Sequence, residues 1–208
     1  MRVTLLTITQ NAEKLIEDAG RTAYLSFEKQ KKDSEKKFIE MLIKAGHLSV
    51  LEHASATFRI QGCSRAFTHQ LVRHRLCSYT QQSQRYVDES TFNYIEPESI
   101  RNNREAHSLF VGFMNRAKEV YAGLQKLDIK NEDSRFVLPG AVESEIVVTA
   151  NFRQWRHIIK LRGSHNAQWE IRKVAIDILK ILKRHAPTAF GNFVTDEKMA
   201  TAYTPFPC

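Results

Sequence analysis

The spacing of hydrophobic and polar positions along this 208-residue chain changes several times, and each change marks an element. Val3, Thr4, Leu5 and Leu6 read as a short strand. Residues 11 to about 27 read as a helix with Asn11 as its candidate N-cap. Residues 34–45 read as a second helix, capped by Ser34 and stopped by Gly46. Residues 54–60 alternate small or apolar side chains with polar ones, as a strand does, and end at Gly62. From 64 to about 76, Ala66, Phe67, Leu71 and Val72 fit one face of a short helix. Residues 91–95, before Pro97, read as a strand, and 104–127 as a long amphipathic helix. A strand over 145–151, a helix over 153–161 and a last helix from 169 to about 185, stopping before Pro187, complete the pattern. The segment 198–208 carries two prolines and reads as a loose tail. Helices and a few strands without a βαβ rhythm indicate an α+β fold. No repeat, low-complexity tract or linker divides the chain, so 1–208 reads as a single domain.

Composition narrows the class. The hydrophobic share of 42% is enough to fill one core, and no run approaches a membrane span. Met1 and Arg2 open onto strand-like sequence rather than a signal peptide. Three cysteines, Cys63, Cys77 and Cys208, are odd in number and form no CxxC pair, which points to a reducing cytoplasm. The net charge of +8 calls for an anionic partner or serves solubility.

The charge is unevenly placed. Between His53 and Asp88 there is no Asp or Glu, yet there are five arginines: Arg59, Arg65, Arg73, Arg75 and Arg85. Positive charge gathered without counter-charge must either spread into solvent or face an anion. Arginine rather than lysine matters, because a planar guanidinium grips phosphate through two parallel hydrogen bonds. The interleaved Ser, Thr, Gln and Tyr of residues 78–86 can donate to phosphate and to the edge of a heterocycle. The string reads as a pocket for a phosphorylated, ring-bearing ligand.

Four stretches also resemble the flavin-dependent thymidylate synthases. Arg73-His74-Arg75, seven residues and then Ser83 is similar to that family's signature, and Gln84-Arg85-Tyr86 follows it. His47-Leu48-Ser49-Val50-Leu51-Glu52-His53 resembles its early segment. Arg135 through Leu138-Pro139 resembles its Arg-x-x-Leu-Pro turn. Asn151-Phe152-Arg153 through Arg162 to Ala167-Gln168-Trp169-Glu170 resembles its C-terminal site segment. Order and spacing agree over roughly residues 1–195.

The resemblance implies long helices packed on a small, mostly antiparallel sheet. It implies that FAD is held by Ser49, Glu52, Arg73, His74, Arg75, Gln81, Asn151, Phe152, Arg153, His157 and Asn166. It implies that dUMP is held by Gln70, Leu71, Val72, Arg73, Gln81, Gln82, Ser83, Gln84, Arg85, Arg135 and Arg162. Arg162 would also be catalytic, because a guanidinium beside the N3–C2=O edge favours the electron-rich ring and so a more nucleophilic C5. Methylenetetrahydrofolate would supply the carbon and NADPH the electrons. The family's homotetramer shares each site between chains, with small-molecule partners and neither nucleic acid nor membrane. At one point this sequence departs from the family: alignment on Ala167-Gln168-Trp169 puts Asn166 where many members have His, with His165 one place early, and the two remain alternatives.

The blander readings stand beside these. Arg162 precedes Gly163 near a helix end, where a cation compensates the dipole. His47 and His53, or His69 and His74, match no zinc spacing, so no metal is expected. Cys77 invites a nucleophile reading, since positive neighbours lower a thiol pKa, but it occupies a free position in the signature. Ser83 lacks an adjacent base and reads as a donor to phosphate. A basic nucleic-acid-binding protein would explain the charge and the arginines but not Glu52, Arg135 or the 167–170 segment. A scaffold protein would leave the acid-free window unexplained. No GxGxxG fingerprint is present, so a dinucleotide must bind by another route.

Overall fold

The structure is a computed structural model that describes residues 1–208. In chain order the elements are β1 (Arg2–Ile8), α1 (Ala12–Thr22), α2 (Ser34–Ala45), β2 (Ser55–Ser64), α3 (Arg65–Leu71), β3 (Ser78–Gln81), α4 (Glu98–Arg101), α5 (Arg104–Lys126), α6 (Asn131–Ser134), β4 (Glu143–Asn151), α7 (Phe152–Arg162), α8 (Trp169–His185), α9 (Pro187–Phe190), β5 (Val194–Asp196) and β6 (Thr201–Tyr203). Short 3-10 turns lie at Phe27–Lys29, Ser49–His53 and Arg135–Val137. The fold is α+β, with one four-stranded sheet in the order β1-β2-β4-β3 and a small antiparallel pair, β5-β6. β2 and β4 run antiparallel: Phe152 N donates to Ala54 O (2.8 Å) at one end, and Cys63 Sγ to Ser144 O (3.2 Å) at the other. No helix is long and apolar enough to cross a membrane.

The chain folds into two compact units. The first comprises Met1–Arg2, Gln61–Leu71 and Thr80–Ile146; the second comprises Val3–Ile60, Val72–Tyr79 and Val147–Cys208. Neither is continuous in sequence, which is why no linker or composition shift marks them. In the first, α5 buries Met114 and Ala117 against Phe92 and Val142. In the second, Trp155 of α7 stands edge-on to Phe58, with ring centroids 5.1 Å apart, and its indole N–H donates to Ala56 O at 3.0 Å. α8 buries Ile171, Val174, Ile178, Leu179 and Leu182 on one face. Full burial of such side chains contributes about 1.5–3 kcal/mol each. α1 and α2 meet through a buried polar cluster: Arg21 Nε donates to Glu17 Oε1 at 2.8 Å, and Ser34 Oγ donates to the same oxygen at 2.8 Å.

Several boundaries differ from the sequence pattern, each for a local reason. α1 stops at Thr22 because the chain turns there: Ser26 N reaches back to Arg21 O and Leu25 N to Thr22 O, with Leu25 at φ 47°. Asn11 occupies the N-cap position at φ 48° but makes no side-chain cap bond. Ser34 is the first residue of α2, not its cap; Asp33 takes that position, and Ser34 Oγ accepts from Lys31 N at 3.0 Å. Gly46 ends α2 at φ 79°, as the pattern indicates. β2 does not end at Gly62 but runs through it at φ 68°. α3 is shorter than the 64–76 pattern, because the backbone leaves the helix after Leu71. The strand over 91–95 reduces to one bridge, Tyr94 to Val142. The 198–208 segment is not loose: β6 pairs with β5, Ala202 is buried, and Ala202 N donates to Gly163 O at 2.7 Å.

Candidate active site

The second unit holds a cleft of about 800 Å³. Three stretches of sequence build it. The 3-10 turn Ser49–His53 carries Glu52 to the wall. The irregular segment after α3 brings Arg75 and Cys77. The end of β4 and the first turns of α7 bring Asn151, Arg153, Gln154 and His157. α7 starts where it does because Asn151 caps it, Oδ1 accepting from Gln154 N at 2.8 Å. Arg153 Nη1 donates to Glu52 Oε1 at 2.6 Å. Both side chains are about half exposed, so this pair adds little stability and its effect is to fix the guanidinium at the cleft wall.

Beside the cleft, His74 is turned inward and only 6% exposed, whereas Arg73 and Arg75 stay exposed. His74 Nε2 accepts from Arg162 Nε at 3.0 Å, and its ring stands edge-on to His157, with centroids 5.9 Å apart. Burial first, then the neighbouring Arg162 and His157, lowers the His74 pKa to about 4. The imidazole is therefore neutral at pH 7 and is an acceptor toward Arg162. Its backbone is held as well, with Tyr79 O–H donating to His74 O at 2.9 Å. Arg162 is the last residue of α7 and is half-buried, so its bond to His74 adds an orienting role to the helix-end charge.

The first unit carries a second polar group. Gln81 Nε2 donates to Thr68 Oγ1 at 3.0 Å and to Ser144 Oγ at 3.2 Å. Gln82 Nε2 donates to the buried Glu89 at 3.1 Å. Arg85 pairs with Glu132 at 2.6 Å, and Arg135 Nε donates to Glu132 O at 3.0 Å, so one residue positions both arginines. Ser83 O accepts from the backbone N–H groups of Tyr86 and Val87, which turns the chain back after the arginine string. Arg65 is half-buried nearby; burial lowers its pKa, Glu89 opposes this and Arg135 adds to it.

The family model described as "Thymidylate synthase complementing protein" matches residues 4–188. The flavin-dependent thymidylate synthase of Pyrococcus abyssi is 44% identical over 195 residues, covering 88% of this chain and 80% of the relative. That of Geobacter sulfurreducens is 41% identical over 198 residues, covering 91% and 85%. This chain belongs to the family of flavin-dependent thymidylate synthases. The fold agrees: a crystal structure of the Helicobacter pylori flavin-dependent thymidylate synthase, complexed with FAD and dUMP, superposes with a TM-score of 0.77 at 23% identity, covering 91% of this chain and 98% of that one.

Set against the family motifs, the sequence-based residues divide in a definite way. Glu52, Arg75, Asn151, Arg153 and His157 line the cleft of the second unit. Ser49 sits on the same turn as Glu52, and His74 packs on His157. Asn166 is exposed and within hydrogen-bond reach of His165, Oδ1 to Nδ1 at 3.1 Å. Phe152 does not face the cleft: it is fully buried against Phe190, so its backbone alone can meet a ligand. Leu71 is likewise buried, whereas Val72 is exposed. Gln70, Leu71, Gln81, Gln82, Ser83, Gln84, Arg85 and Arg135 belong to the first unit, and Val72, Arg73 and Arg162 to the second. Cys77 is half-buried on the cleft wall. Burial raises its thiol pKa, and hydrogen bonds with Tyr79 and Gln154 offset this only in part, so positive neighbours do not activate it. Sequence reasoning missed Gln154, Thr149 and Cys208 as lining residues. Gln154 lies beside Arg153 in a recognised motif and was within reach; Cys208 has no signal of its own, because only the folded tail brings it there.

Proposed function

We propose that this chain converts dUMP to dTMP by reductive methylation, with methylenetetrahydrofolate as carbon donor, NADPH as reductant and FAD bound in the cleft of the second unit. What supports this most directly, within a family of this activity, is that Glu52, Arg75, Asn151, Arg153 and His157 come from three separate family motifs and line one cavity. The donor set fits a dinucleotide. Two guanidiniums, Arg75 and Arg153, suit a pyrophosphate, the amides of Asn151 and Gln154 suit a heterocycle, and the volume is that of a cofactor cleft. When bound, the flavin supplies the hydride chemistry that no side chain can.

The protein's own contribution is binding, orientation and charge. Ser49, Glu52, Arg73, His74, Arg75, Gln81, Asn151, Arg153, His157 and Asn166 are the side chains assigned to FAD, with Phe152 contributing backbone. Gln70, Leu71, Val72, Arg73, Gln81, Gln82, Ser83, Gln84, Arg85, Arg135 and Arg162 are assigned to dUMP. Ser83 and Arg85 meet the phosphate. Arg162 faces the pyrimidine edge, and its Nε–H is committed to neutral His74, which fixes the plane in which its remaining N–H groups point. The active species is a homotetramer in the cytoplasm, with each site shared between chains. Large apolar side chains left exposed on the first unit, Leu109, Phe113 and Phe136 among them, support an interface there. The first test is a titration with FAD. Wild type should bind close to one FAD per chain, and Arg75→Ala should weaken binding at least tenfold; wild type that shows no bound-flavin spectrum would contradict the proposal.

A further inference from the structure

The segment after α9 is fastened to earlier elements of the second unit at three points and closed on itself at a fourth, Asn192 to Thr204. Ala202 N donates to Gly163 O (2.7 Å), Asn192 Nδ2 to Thr204 Oγ1 (2.7 Å), Lys160 Nζ to Phe206 O (3.1 Å) and Arg156 Nη2 to Pro207 O (3.2 Å). Arg156 is the anchor. Its side chain is fully buried, lies over the Phe193 ring at 5.1 Å and donates through Nη1 to Ala189 O (2.5 Å) and Asn192 Oδ1 (2.7 Å). No carboxylate pairs with it, and its Nε has no partner at all. A guanidinium buried among neutral acceptors is costly, and each lost carbonyl makes it costlier. The Pro207 carbonyl is thus bound to a group that cannot turn to water for a replacement. The clamp has a consequence at the cleft: it sets Cys208 on the cavity wall with Arg75, Asn151 and Arg153. At its other end it grips Gly163, the residue after Arg162.

We propose that this clamped segment is a built wall of the cofactor cleft, that Cys208 contacts the bound flavin dinucleotide, and that Arg156 is the positioning residue for that wall. The inference rests on the reading that the cleft takes FAD. It also explains why a stretch with two prolines is folded: Ala202 and Thr204 are buried, and the prolines lie beyond β6, where no ladder hydrogen bond is required of them.

Thiol alkylation tests this without relying on turnover. In Cys77→Ala protein, Cys208 is the one reactive thiol, because Cys63 is fully buried. Iodoacetamide labelling of Cys208 is followed by peptide mass spectrometry at mildly alkaline pH, since burial raises this thiol's pKa. Saturating FAD should slow labelling tenfold or more, whereas dUMP alone should not. Protein already labelled at Cys208, and separately Arg156→Lys, should each bind FAD at least tenfold more weakly; lysine keeps the charge but cannot span the same acceptors. Unchanged labelling in a sample whose absorbance shows bound flavin would overturn the wall and leave the proposed activity standing. Protein that binds no FAD would overturn both.

Discussion

A histidine nitrogen that accepts a hydrogen bond from an arginine cannot also carry a proton. His74 is in that position toward Arg162, and burial reinforces it. Its folded pKa is about 4, against an ordinary value of 6.5. As pH falls through 6.5 the unfolded chain takes up a proton that the folded protein refuses, so stability declines, and the loss is complete below about 4. The full loss is roughly 3 kcal/mol, at 1.36 kcal/mol per unit. Urea unfolding at pH 7 and pH 4.5 should show a larger loss for wild type than for His74→Gln, which has no proton to exclude. Equal losses would mean that His74 titrates normally. The sequence showed His74 only as the middle of an Arg-His-Arg motif. Its inward turn was not legible, because it depends on Arg162, which is distant in the chain and adjacent only in the fold.

Elements were legible where the chain carries its own stop and start signals. α5, α7 and α8 fall within two residues of their pattern, and each has a side-chain cap: Asn103, Asn151 and Gln168 accept from the first free N–H groups. Gly46 closes α2 in the left-handed region, which glycine tolerates. The misses lie where tertiary structure imposes a conformation the residue does not prefer. In the turn that follows α1, Leu25 rather than a glycine takes the left-handed region, and that leucine is 77% exposed. The strain of such a residue is of the order of 1 kcal/mol, and no packing is lost by removing the side chain. Leu25→Gly should therefore stabilise the protein by up to about 0.5 kcal/mol in denaturant unfolding, after allowing for glycine's greater freedom when unfolded. A destabilised variant would mean that Leu25 makes contacts in solution, for example in an assembly.

At the scale of the whole molecule, family membership was legible because motif order survives folding, whereas the two compact units were not, because each is stitched from separate segments. The acid-free window holds five arginines, three of them in the dense string from Arg73 to Tyr86. In the fold, Arg65 and Arg85 fall in the first unit and Arg73 and Arg75 in the second, and Arg85 finds Glu132 from outside the window. The shared-site tetramer is testable at this scale. Arg85→Ala and Arg162→Ala should each be nearly inactive, and if different chains supply the two residues, exchange of subunits should restore roughly a quarter of the sites. A mixture shown to exchange but no more active than its parents would contradict sharing between chains.

The central claim concerns the reaction itself, and product formation tests it most directly. Purified protein is incubated with FAD, dUMP, methylenetetrahydrofolate and NADPH, and dTMP is measured by mass spectrometry, with each component omitted in turn. The account predicts dTMP in the complete mixture, none without dUMP or the folate, strong dependence on added FAD, and at least tenfold less turnover for Arg162→Lys, equivalent to about 1.4 kcal/mol or more in the barrier. Protein that binds both FAD and dUMP yet forms no dTMP in the complete mixture would contradict it.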